Sequence, residues 1–381
     1  MKHTKRLCIY MTYNKENKIE EYIGYMLKAL RGYTTTLYVV CNYSEILDGL
    51  SYIELYADKI FYRENKGLDA GAYKDMLCTF VGWDTVYQYD ELILMNDSFL
   101  GPFYDYGNYF DLMENTACDF WGMTRHFSGE NELIGKYPSH VQSYFLVFRS
   151  HVLKSCQFRR FWEDLEYPKT YSEAILNYEL KINGFLERSG YISMALTDVW
   201  GMVFKGSENP YLDYSLELIR DMKLPMLKKK SLMILNWGFA NALKAVGFIE
   251  YKKLYPIDWI WNLIDSQFYV EGYSAKIVNC LECFVKKHHK VYIYGAGLCG
   301  KNLLLYFKQK GWETEGFLVS NQTGQDMECI LFDDVCIDDG TGIIISVMHL
   351  EVSEKIVEYI GNRCKKEQLF MICTCACIRE F

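Results

Sequence analysis

The sequence contains little proline and glycine and has no excess of positive charge. Its 381 residues include 6 prolines and 27 glycines; 24% are charged and 50% are hydrophobic. This balance excludes a disordered, collagen-like or low-complexity chain, so we expect a globular protein. Lysine and arginine number 41 against 49 aspartates and glutamates, which gives a net charge of -8. We expect no nucleic-acid partner, because no general cationic field attracts a phosphate backbone.

Long hydrophobic runs are also absent. The sequence has no uncharged run of about 18 residues, so it predicts no membrane span. The apolar stretch behind the basic start, Leu7–Met11, is too short for the core of a signal peptide. We therefore expect a cytoplasmic protein.

Aromatic residues, in contrast, are abundant. They make up 16% of the chain and include 32 tyrosines. Tyrosine and tryptophan offer a rigid apolar face with a polar end, which suits stacking against sugars and nucleobases. The composition therefore favours a carbohydrate or nucleotide ligand.

Short apolar runs alternate with helical patterns in the first hundred residues. The pattern predicts strands near 7–13, 36–42, 59–62 and 91–95, with helices near 19–30 and 68–80. This alternation predicts an α/β fold with a mostly parallel sheet, whose ligands bind at the carboxyl ends of the strands. The chain reads as mostly helical from about residue 210, and a new strand begins at Lys290. We therefore predict two domains, 1–273 and 274–381, with a boundary near Tyr273.

Two polar segments stand at predicted strand ends. Asn96-Asp97-Ser98 follows an apolar strand, where an acid can face a hard cation or a phosphate. The alternative is a turn held by local hydrogen bonds. The second segment, Asn65–Gly71, leads into a helix at Asp69. Asp69 could cap this helix, and the glycines could let a nucleotide lie against the backbone.

Four ordered segments of this sequence resemble the rhamnan synthesis protein F family of bacterial polysaccharide synthesis. The segments are Glu64–Tyr73, Leu94–Pro102, Asp119–Gly122 and His140–Phe148. The resemblance covers roughly residues 5 to 265. It implies a GT-A type glycosyltransferase that transfers a deoxysugar, such as rhamnose from dTDP-L-rhamnose, to a surface glycan or its lipid-linked precursor.

The same resemblance implies a donor site. It assigns donor binding to Asn65, Gly67, Asp69 and the Asn96–Ser98 segment, which stands in place of an Asp-x-Asp metal motif. Asp97 is the single carboxylate of that segment, so Mg²⁺ or Mn²⁺ would be held through Asp97 where two acids are usual. The missing acid keeps an alternative open, a non-catalytic protein that binds nucleotide sugars or glycans.

An inverting transfer also needs a general base near the acceptor hydroxyl. The resemblance favours Glu179, which precedes a helix that ends in glycine. Glu163, Asp164 and Asp119 are the alternatives. For acceptor binding we consider four further residues, Trp121, Gln142, Ser143 and Tyr144, although ordinary polarity at a sheet edge would also explain the last three.

The carboxy-terminal region contains a glycine motif between a strand and a helix. Gly295, Gly297 and Gly300 form a Gly-x-Gly-x-x-Gly pattern that predicts a small Rossmann-like domain. NAD is not expected, because the next strand ends at Asn321 where an acid usually binds the ribose. The sequence leaves open whether these glycines bind a ligand or only shape the fold.

A basic cluster, Lys228–Lys230, precedes an apolar stretch at Ser231–Phe248. Such a pair suits peripheral contact with the anionic inner face of a bacterial membrane. The alternative is a helix packed inside the protein with its lysines in solvent.

Overall fold

The computed structural model describes residues 4–46, 48–201, 204, 209–268, 280–321 and 328–372. The chain divides into two compact units, Met1–Lys228 and Lys229–Phe381. The boundary that we predicted at Tyr273 lies outside the described residues. The helical segment from Lys229 to Phe268, which the sequence assigned to the first domain, belongs to the second unit.

The first unit contains thirteen strands among its described residues. They are β1 Arg6–Thr12, β2 Thr36–Cys41, β3 Lys59–Tyr62, β4 Glu91–Asn96, β5 Phe99–Leu100, β6 Phe120–Gly122, β7 Arg125–His126, β8 Gly129–Asn131, β9 Gly135–Tyr137, β10 His140–Val141, β11 Phe145–Arg149, β12 Ser193–Ala195 and β13 Leu227–Lys228.

Its α-helices are α1 Glu21–Arg31, α2 Ser51–Glu54, α3 Leu68–Asp75, α4 Trp83–Val86, α5 Gly107–Glu114, α6 Ser150–Leu153, α7 Cys156–Asp164, α8 Tyr171–Ala174, α9 Leu180–Arg188, α10 Leu196–Val199, α11 Pro210–Asp213 and α12 Ser215–Arg220. Two π-helical turns, Met76–Phe80 and Ile175–Glu179, extend α3 and precede α9.

A seven-stranded sheet forms the centre of this unit, in the order β12-β6-β11-β4-β1-β2-β3. Only β11 runs against its neighbours among these seven strands. Helices cover both faces, so strands such as β1 are buried along their whole length. Alternate residues of β1 belong to two different cores, Cys8 with α1 residues on one face and Ile9 with α3 and α7 residues on the other.

This topology brings several chain segments to one edge of the sheet. The ends of β1 and β4 lie side by side there, with Met11 paired to Asn96. Because β11 is antiparallel, its beginning reaches the same edge, and Phe145 pairs with Met95. The segments that follow or precede these residues therefore meet at one place.

The second unit contains β14 Lys290–Tyr294, β15 Gly316–Val319, β16 Cys329–Leu331, β17 Thr341–Ile345 and β18 Leu369–Met371. These strands form a parallel five-stranded sheet in the order β16-β15-β14-β17-β18. Its α-helices are α13 Phe239–Lys252, α14 Ile257–Asp265, α15 Cys280–Lys287, α16 Leu298–Lys310 and α17 Leu350–Ile360, and 3-10 turns lie at Lys229–Leu232, Ser266–Phe268, Phe332–Asp334 and Lys366–Gln368. The predicted α/β fold class, with a mostly parallel central sheet and a small Rossmann-like unit at the end, is confirmed.

Buried hydrogen bonds explain why the segment from Lys229 to Phe268 packs with the second unit. The amide of Asn302 on α16 is buried and donates to the carbonyls of Ile234 and Asn236, at 2.8 and 3.0 Å. Asp265 accepts from Tyr306 and Lys310 of the same helix. The predicted apolar helix is present as α13, and one of its faces is buried. Across the described parts of the chain, no helix is long and apolar enough to cross a membrane.

Candidate functional site

Asp97 lies at the shared edge of β1 and β4. Its Oδ2 accepts hydrogen bonds from Thr12 Oγ1 at 2.7 Å and from the backbone N–H of Tyr13 at 3.2 Å. These bonds join the ends of two neighbouring strands and hold the carboxylate half-buried at the sheet edge. Thr12 was not singled out in the sequence, although a hydroxyl at the end of a parallel strand is the signal that could have identified it.

Asn96 connects Asp97 to the segment around Asp69. Its Nδ2 donates to Asp69 Oδ2 at 3.0 Å, and its Oδ1 accepts from the backbone and hydroxyl of Ser98 at 3.2 and 2.6 Å. The amide thus uses both its donor and its acceptor side. A carboxylate at position 96 could not donate to Asp69, so the departure from two acids has a local reason.

The loop before α3 is held from beneath by two buried residues, Asn42 and Arg63. Asn42 donates to Asn65 Oδ1 and to the Leu68 carbonyl, at 3.0 and 2.9 Å. Arg63 donates to Asn42 Oδ1 at 2.7 Å and to the Lys66 carbonyl at 2.5 Å. This support fixes Asn65 and Asp69 relative to the sheet edge.

Gly67 has a structural reason to be glycine. Its φ is 79°, and a Cβ there would lie 2.8 Å from a ring carbon of Tyr167. The space beside Gly67 is therefore filled by protein. The sequence had left open that this glycine admits a nucleotide.

Asp69 has a half-buried carboxyl group with a raised pKa. Burial raises the pKa of Asp69 to about 6, and the charge of Glu179 adds to this, while hydrogen bonds from Asn96 and the Ala70 N–H oppose it. The carboxyl therefore exchanges its proton close to neutral pH.

Glu179 lies in the π-helical turn that precedes α9, a type of distortion frequent at functional sites. Its Oε2 accepts from the backbone N–H and the hydroxyl of Ser143, at 2.9 and 2.5 Å, and its Oε1 lies 3.2 Å from His140 Nε2. Burial raises the pKa of Glu179, but His140 and Ser143 outweigh burial and lower the pKa to about 2. Glu179 is therefore ionised throughout the physiological range.

The ring of His140 is held between two acceptors. Its Nδ1 lies 2.9 Å from the Pro138 carbonyl, and its Nε2 faces Glu179. These two contacts fix the orientation of the ring beside the Glu179 carboxylate. The ring of His126 stacks on it at 5.2 Å.

The structure brings together some of the predicted site residues. Three neighbouring sets of hydrogen bonds hold them: Asn65 bonds to Asn42, Asp69 and Ser98 bond to Asn96, and Asp97 bonds to Thr12. Glu179 and Ser143 form a second group, close enough for the Glu179 charge to act on Asp69.

Three other predicted residues have buried side chains. Trp121 is 1% exposed and packs against Phe110 and Phe145, so no face of its indole is open to an acceptor. Gln142 and Tyr144 are also buried, and both bond to Thr124.

The alternative bases lie away from the sheet edge that carries Asp97. Glu163 and Asp164 form surface ion pairs on α7 with Arg159 and Arg160, at 2.7 and 3.1 Å. Asp119 precedes β6, which runs parallel to β4, so it lies at the opposite edge of the sheet and binds His151. Of the four acids considered, Glu179 is the one beside Asp69.

Lys228 is a cation near this edge that the sequence had assigned to a membrane-facing cluster. Strand β13 pairs with β5, directly after Ser98, and Lys228 Nζ lies 5.7 Å from the centroid of the Phe99 ring. Lys229 beside it is buried, whereas Lys230 is exposed. The three lysines therefore do not form one exposed patch.

Asp97 is the candidate ligand for a divalent cation here, because the Asp69 carboxylate is bonded to Asn96 and the Ala70 N–H. Within the described residues, no group of three or more His, Cys, Asp or Glu side chains is placed to hold a metal ion. Mg²⁺ is commonly bound by one or two carboxylates together with substrate phosphates. Asp97 fits that role only as a partner of a bound diphosphate.

Exchanging Asp69 for Asn should change how stability depends on pH. The folded-state pKa of about 6 lies above the ordinary 3.8, so Asp69 favours folding below pH 3.8 and this contribution is lost as the pH rises through 6. The free energy of unfolding of Asp69→Asn minus that of wild type should therefore increase from pH 4 to pH 7, by on the order of 1–3 kcal/mol. Urea unfolding across this range measures it. Asp164→Asn, which removes an exposed carboxylate, is the control, and parallel profiles for the two variants would contradict the raised pKa.

Comparison with known proteins gives one sequence match. The sequence model of rhamnan synthesis protein F matches residues 37–294, which is more than half of the 381 residues. No curated protein matches the chain significantly.

Three solved structures illustrate the structural matches. Core-mannan synthase A (CmsA/Ktr4) from Aspergillus fumigatus, in its Mn/GDP form, is 9% identical with a TM-score of 0.28 over 51% of this chain and 72% of that one. A cytidylyltransferase from Leptospira borgpetersenii is 12% identical with a TM-score of 0.29 over 51% and 76%. The mannosyltransferase Ktr4p from S. cerevisiae is 9% identical with a TM-score of 0.27 over 46% and 62%. These scores are too low to carry an argument about this chain.

Proposed function

The chain belongs to the rhamnan synthesis protein F family, and from this membership we propose that it is an inverting glycosyltransferase with a GT-A type first unit. Its proposed donor is a nucleoside-diphosphate deoxysugar, dTDP-L-rhamnose. Its proposed acceptor is a bacterial surface polysaccharide or the lipid-linked precursor of one. The observation that carries the proposal is the pair of polar groups at one sheet edge, around Asp97 and around Glu179.

The first group suits the donor. Asn65, Asp69, Asn96 and Asp97 present amide and carboxylate groups at the carboxyl ends of parallel strands, where α/β sheets bind ligands. In the proposed complex, Asp97 would hold Mg²⁺ or Mn²⁺ together with the donor diphosphate. When bound, such a cation would offset the charge that develops on the departing nucleoside diphosphate.

The second group suits the acceptor. An acceptor hydroxyl attacks the anomeric carbon, the bond from that carbon to the diphosphate oxygen breaks, and the hydroxyl proton passes to a base. We assign the base to Glu179, which faces Ser143 and His140, whereas Asp69 is bonded to Asn96 on the donor side. Glu179 is ionised at physiological pH and thus able to accept a proton, although its low pKa makes it a weak base.

The two acids predict different dependences of rate on pH. With Glu179 as base, transfer requires no deprotonation near neutrality, so kcat/KM should stay level through pH 6. If Asp69 were the base, kcat/KM would fall about tenfold for each pH unit below 6, since its pKa is about 6. A pH profile in the presence of saturating metal separates the two assignments.

A donor panel tests the function itself. Full-length protein is incubated with dTDP-L-rhamnose, UDP-, GDP- and other dTDP-sugars, an acceptor glycan and Mg²⁺ or Mn²⁺, and the nucleoside diphosphate released is measured. We expect release from dTDP-L-rhamnose to be fastest and to stop with EDTA. Thermal protection by a nucleotide sugar without any release would instead support the non-catalytic binding protein, and the absence of both would refute the nucleotide-sugar assignment.

The acceptor location is part of the same proposal. A lipid-linked precursor would be met at the cytoplasmic face of the inner membrane. Contact of the protein with that membrane stays a prediction, and the burial of Lys229 removes one of the three cations on which it was based.

A further inference from the structure

The second unit has the strand order of a nucleotide-binding sheet. Counted along this unit, β14 to β18 are strands one to five, and their spatial order is 3-2-1-4-5. Strand β15 pairs with one flank of β14, and β17 pairs with the opposite flank, so the strand order reverses at β14. Ligands of such sheets bind in the crevice at this reversal, outside the carboxyl ends of the first and fourth strands. Gly295 follows β14 and Ser346 follows β17, so the crevice lies between these two residues.

Each of the three glycines in the motif has a separate local geometry. Gly295 has a φ of 106°, which the tight turn after β14 requires. A Cβ on Gly300 would collide with the carbonyl oxygen of Gly295, so this glycine allows α16 to pack closely on the strand. Gly297 has an ordinary φ of -74° and only open space where a Cβ would be. Neither the backbone nor packing within the described structure therefore requires glycine at 297.

The open space at Gly297 would allow a ligand to approach the backbone. In dinucleotide-binding turns, the second glycine lets the backbone approach a diphosphate at the start of the helix. Gly297 is exposed and directly precedes α16, a helix of 13 residues. Gly297 thus has the position of the second glycine of such a turn, the glycine that is needed for the approach of a ligand and not for the fold.

A second, independent observation comes from Ser346. Its side chain is 1% exposed, and its hydroxyl has no hydrogen-bond partner. The backbone N–H of Ser346 continues the ladder to Tyr294, and its carbonyl would lie 3.0 Å from a Cβ on Gly295. An unpaired buried hydroxyl is costly unless something else satisfies it.

The side of the sheet that Ser346 faces follows from the alternation of β17. Ile343 and Ile345 belong to the core on one face, so Ile344 and Ser346 point to the other. Helix α16 covers that other face, because Gly300 lies close to the Phe317 ring, and Phe317 alternates with the core residue Leu318. The Ser346 hydroxyl therefore lies beneath the glycine turn and the start of α16.

We propose that the second unit binds the diphosphate of a nucleoside diphosphate compound between Gly297 and Ser346. The backbone at the start of α16 donates to the phosphate oxygens, and the Ser346 hydroxyl donates to the same group from below. This site is separate from the one proposed in the first unit. Two classes of compound carry this group, nucleotide sugars and dinucleotides, and the neutral Asn321 after β15 favours the former over NAD.

Hydrogen–deuterium exchange of the full chain tests the site. The probes are inorganic pyrophosphate, dTDP, UDP, GDP, ADP, dTDP-L-rhamnose, UDP-glucose and NAD, each at millimolar concentration. We expect at least one nucleotide to slow exchange in the peptide that covers 290–303. Protection by nucleoside diphosphates or their sugars identifies the first class, and protection by NAD alone identifies the second. No protection of this peptide by any probe would overturn the proposal.

Gly297→Val and Gly247→Val form a matched pair. Both glycines are exposed and have open space around a built Cβ, but Gly247 lies on α13, outside the turn. Valine at 297 should weaken protection of 290–303 by roughly tenfold or more, because it occupies the approach of the diphosphate. Valine at 247 should leave it unchanged. Equal protection in the two variants would contradict the site.

Ser346→Ala gives a test that does not depend on the fold tolerating valine. Removing an unpaired buried hydroxyl should leave the melting temperature of the ligand-free protein unchanged or raise it. The same variant should need several-fold more nucleotide for half-maximal protection. Wild-type affinity in Ser346→Ala would remove this residue from the site. Repeating the titration in Asp97→Asn separates the two units, since protection of 290–303 should persist even where the first unit has lost its ligand.

Discussion

Glu179→Gln is expected to lower the rate of sugar transfer by about 10²- to 10⁴-fold, the usual loss when a general base is removed. The variant keeps the size of the side chain but not its charge. Donor affinity should stay within about twofold, because Glu179 bonds to Ser143 and His140 and not to the donor-side group. Release of nucleoside diphosphate with and without acceptor, together with a donor titration, measures both quantities.

The hydrogen-bond network is able to accept this change. A glutamine carbonyl can accept from both donors of Ser143, as Oε2 of Glu179 does. Its amide can donate to His140 Nε2 in the tautomer that carries the proton on Nδ1, facing the Pro138 carbonyl. We therefore expect a folded variant, and a loss of activity would not reflect unfolding.

Glu163→Gln is the matched control for this prediction. Glu163 is another glutamate that the sequence singled out, and it forms an exposed ion pair with Arg159 on α7. Its replacement should leave transfer unchanged. Wild-type transfer in Glu179→Gln, with a large loss in Asp69→Asn, would move the base to Asp69.

The sequence was sufficient to predict the sheet and the edge at which the site lies. Parallel strands end at a common edge, so the residues after β1 and β4 had to be neighbours whatever the details of packing. The link between Asp97 and Thr12 spans 85 positions of the chain. Strand order explains that contact, and periodicity alone would not have found it.

The sequence was not sufficient to predict which side chains are open to a ligand. Strands buried on both faces lack the alternation that would separate inner from outer residues. Trp121 and Tyr144 therefore looked able to bind an acceptor, whereas both are buried in the core against Phe145 and Tyr211.

The sequence also could not predict which polar residues are buried. Asn302 in α16 gives no sign in the sequence that it binds carbonyls 66 and 68 positions away. These bonds draw the segment from Lys229 into the second unit. The Ser346 hydroxyl is similar, because only the fold reveals that it is buried without a partner.

Asp97→Asn is expected to lower kcat/KM for transfer by about 10²- to 10³-fold, comparable to the loss of one group that stabilises charge in a transition state. Asn removes the negative charge but retains an oxygen acceptor. Thr12 and the Tyr13 N–H both donate to the same oxygen, Oδ2, so one amide carbonyl can accept both bonds. The turn should therefore persist, and the melting temperature should change little.

The charge and the turn are separable because Thr12 is uncharged and bonds to the Asp97 carboxylate. Thr12→Val removes one hydrogen bond to Asp97 and leaves the carboxylate in place. If the carboxylate acts on a cation and a diphosphate, Asp97→Asn should require a much higher Mg²⁺ or Mn²⁺ concentration for half-maximal rate, and Thr12→Val should not. If Asp97 only shapes the turn, Thr12→Val should be the more harmful of the two and Asp97→Asn should transfer sugar at the wild-type rate. Metal titrations of both variants at a fixed donor concentration distinguish these roles, because only an interaction with the cation shifts the midpoint of the titration.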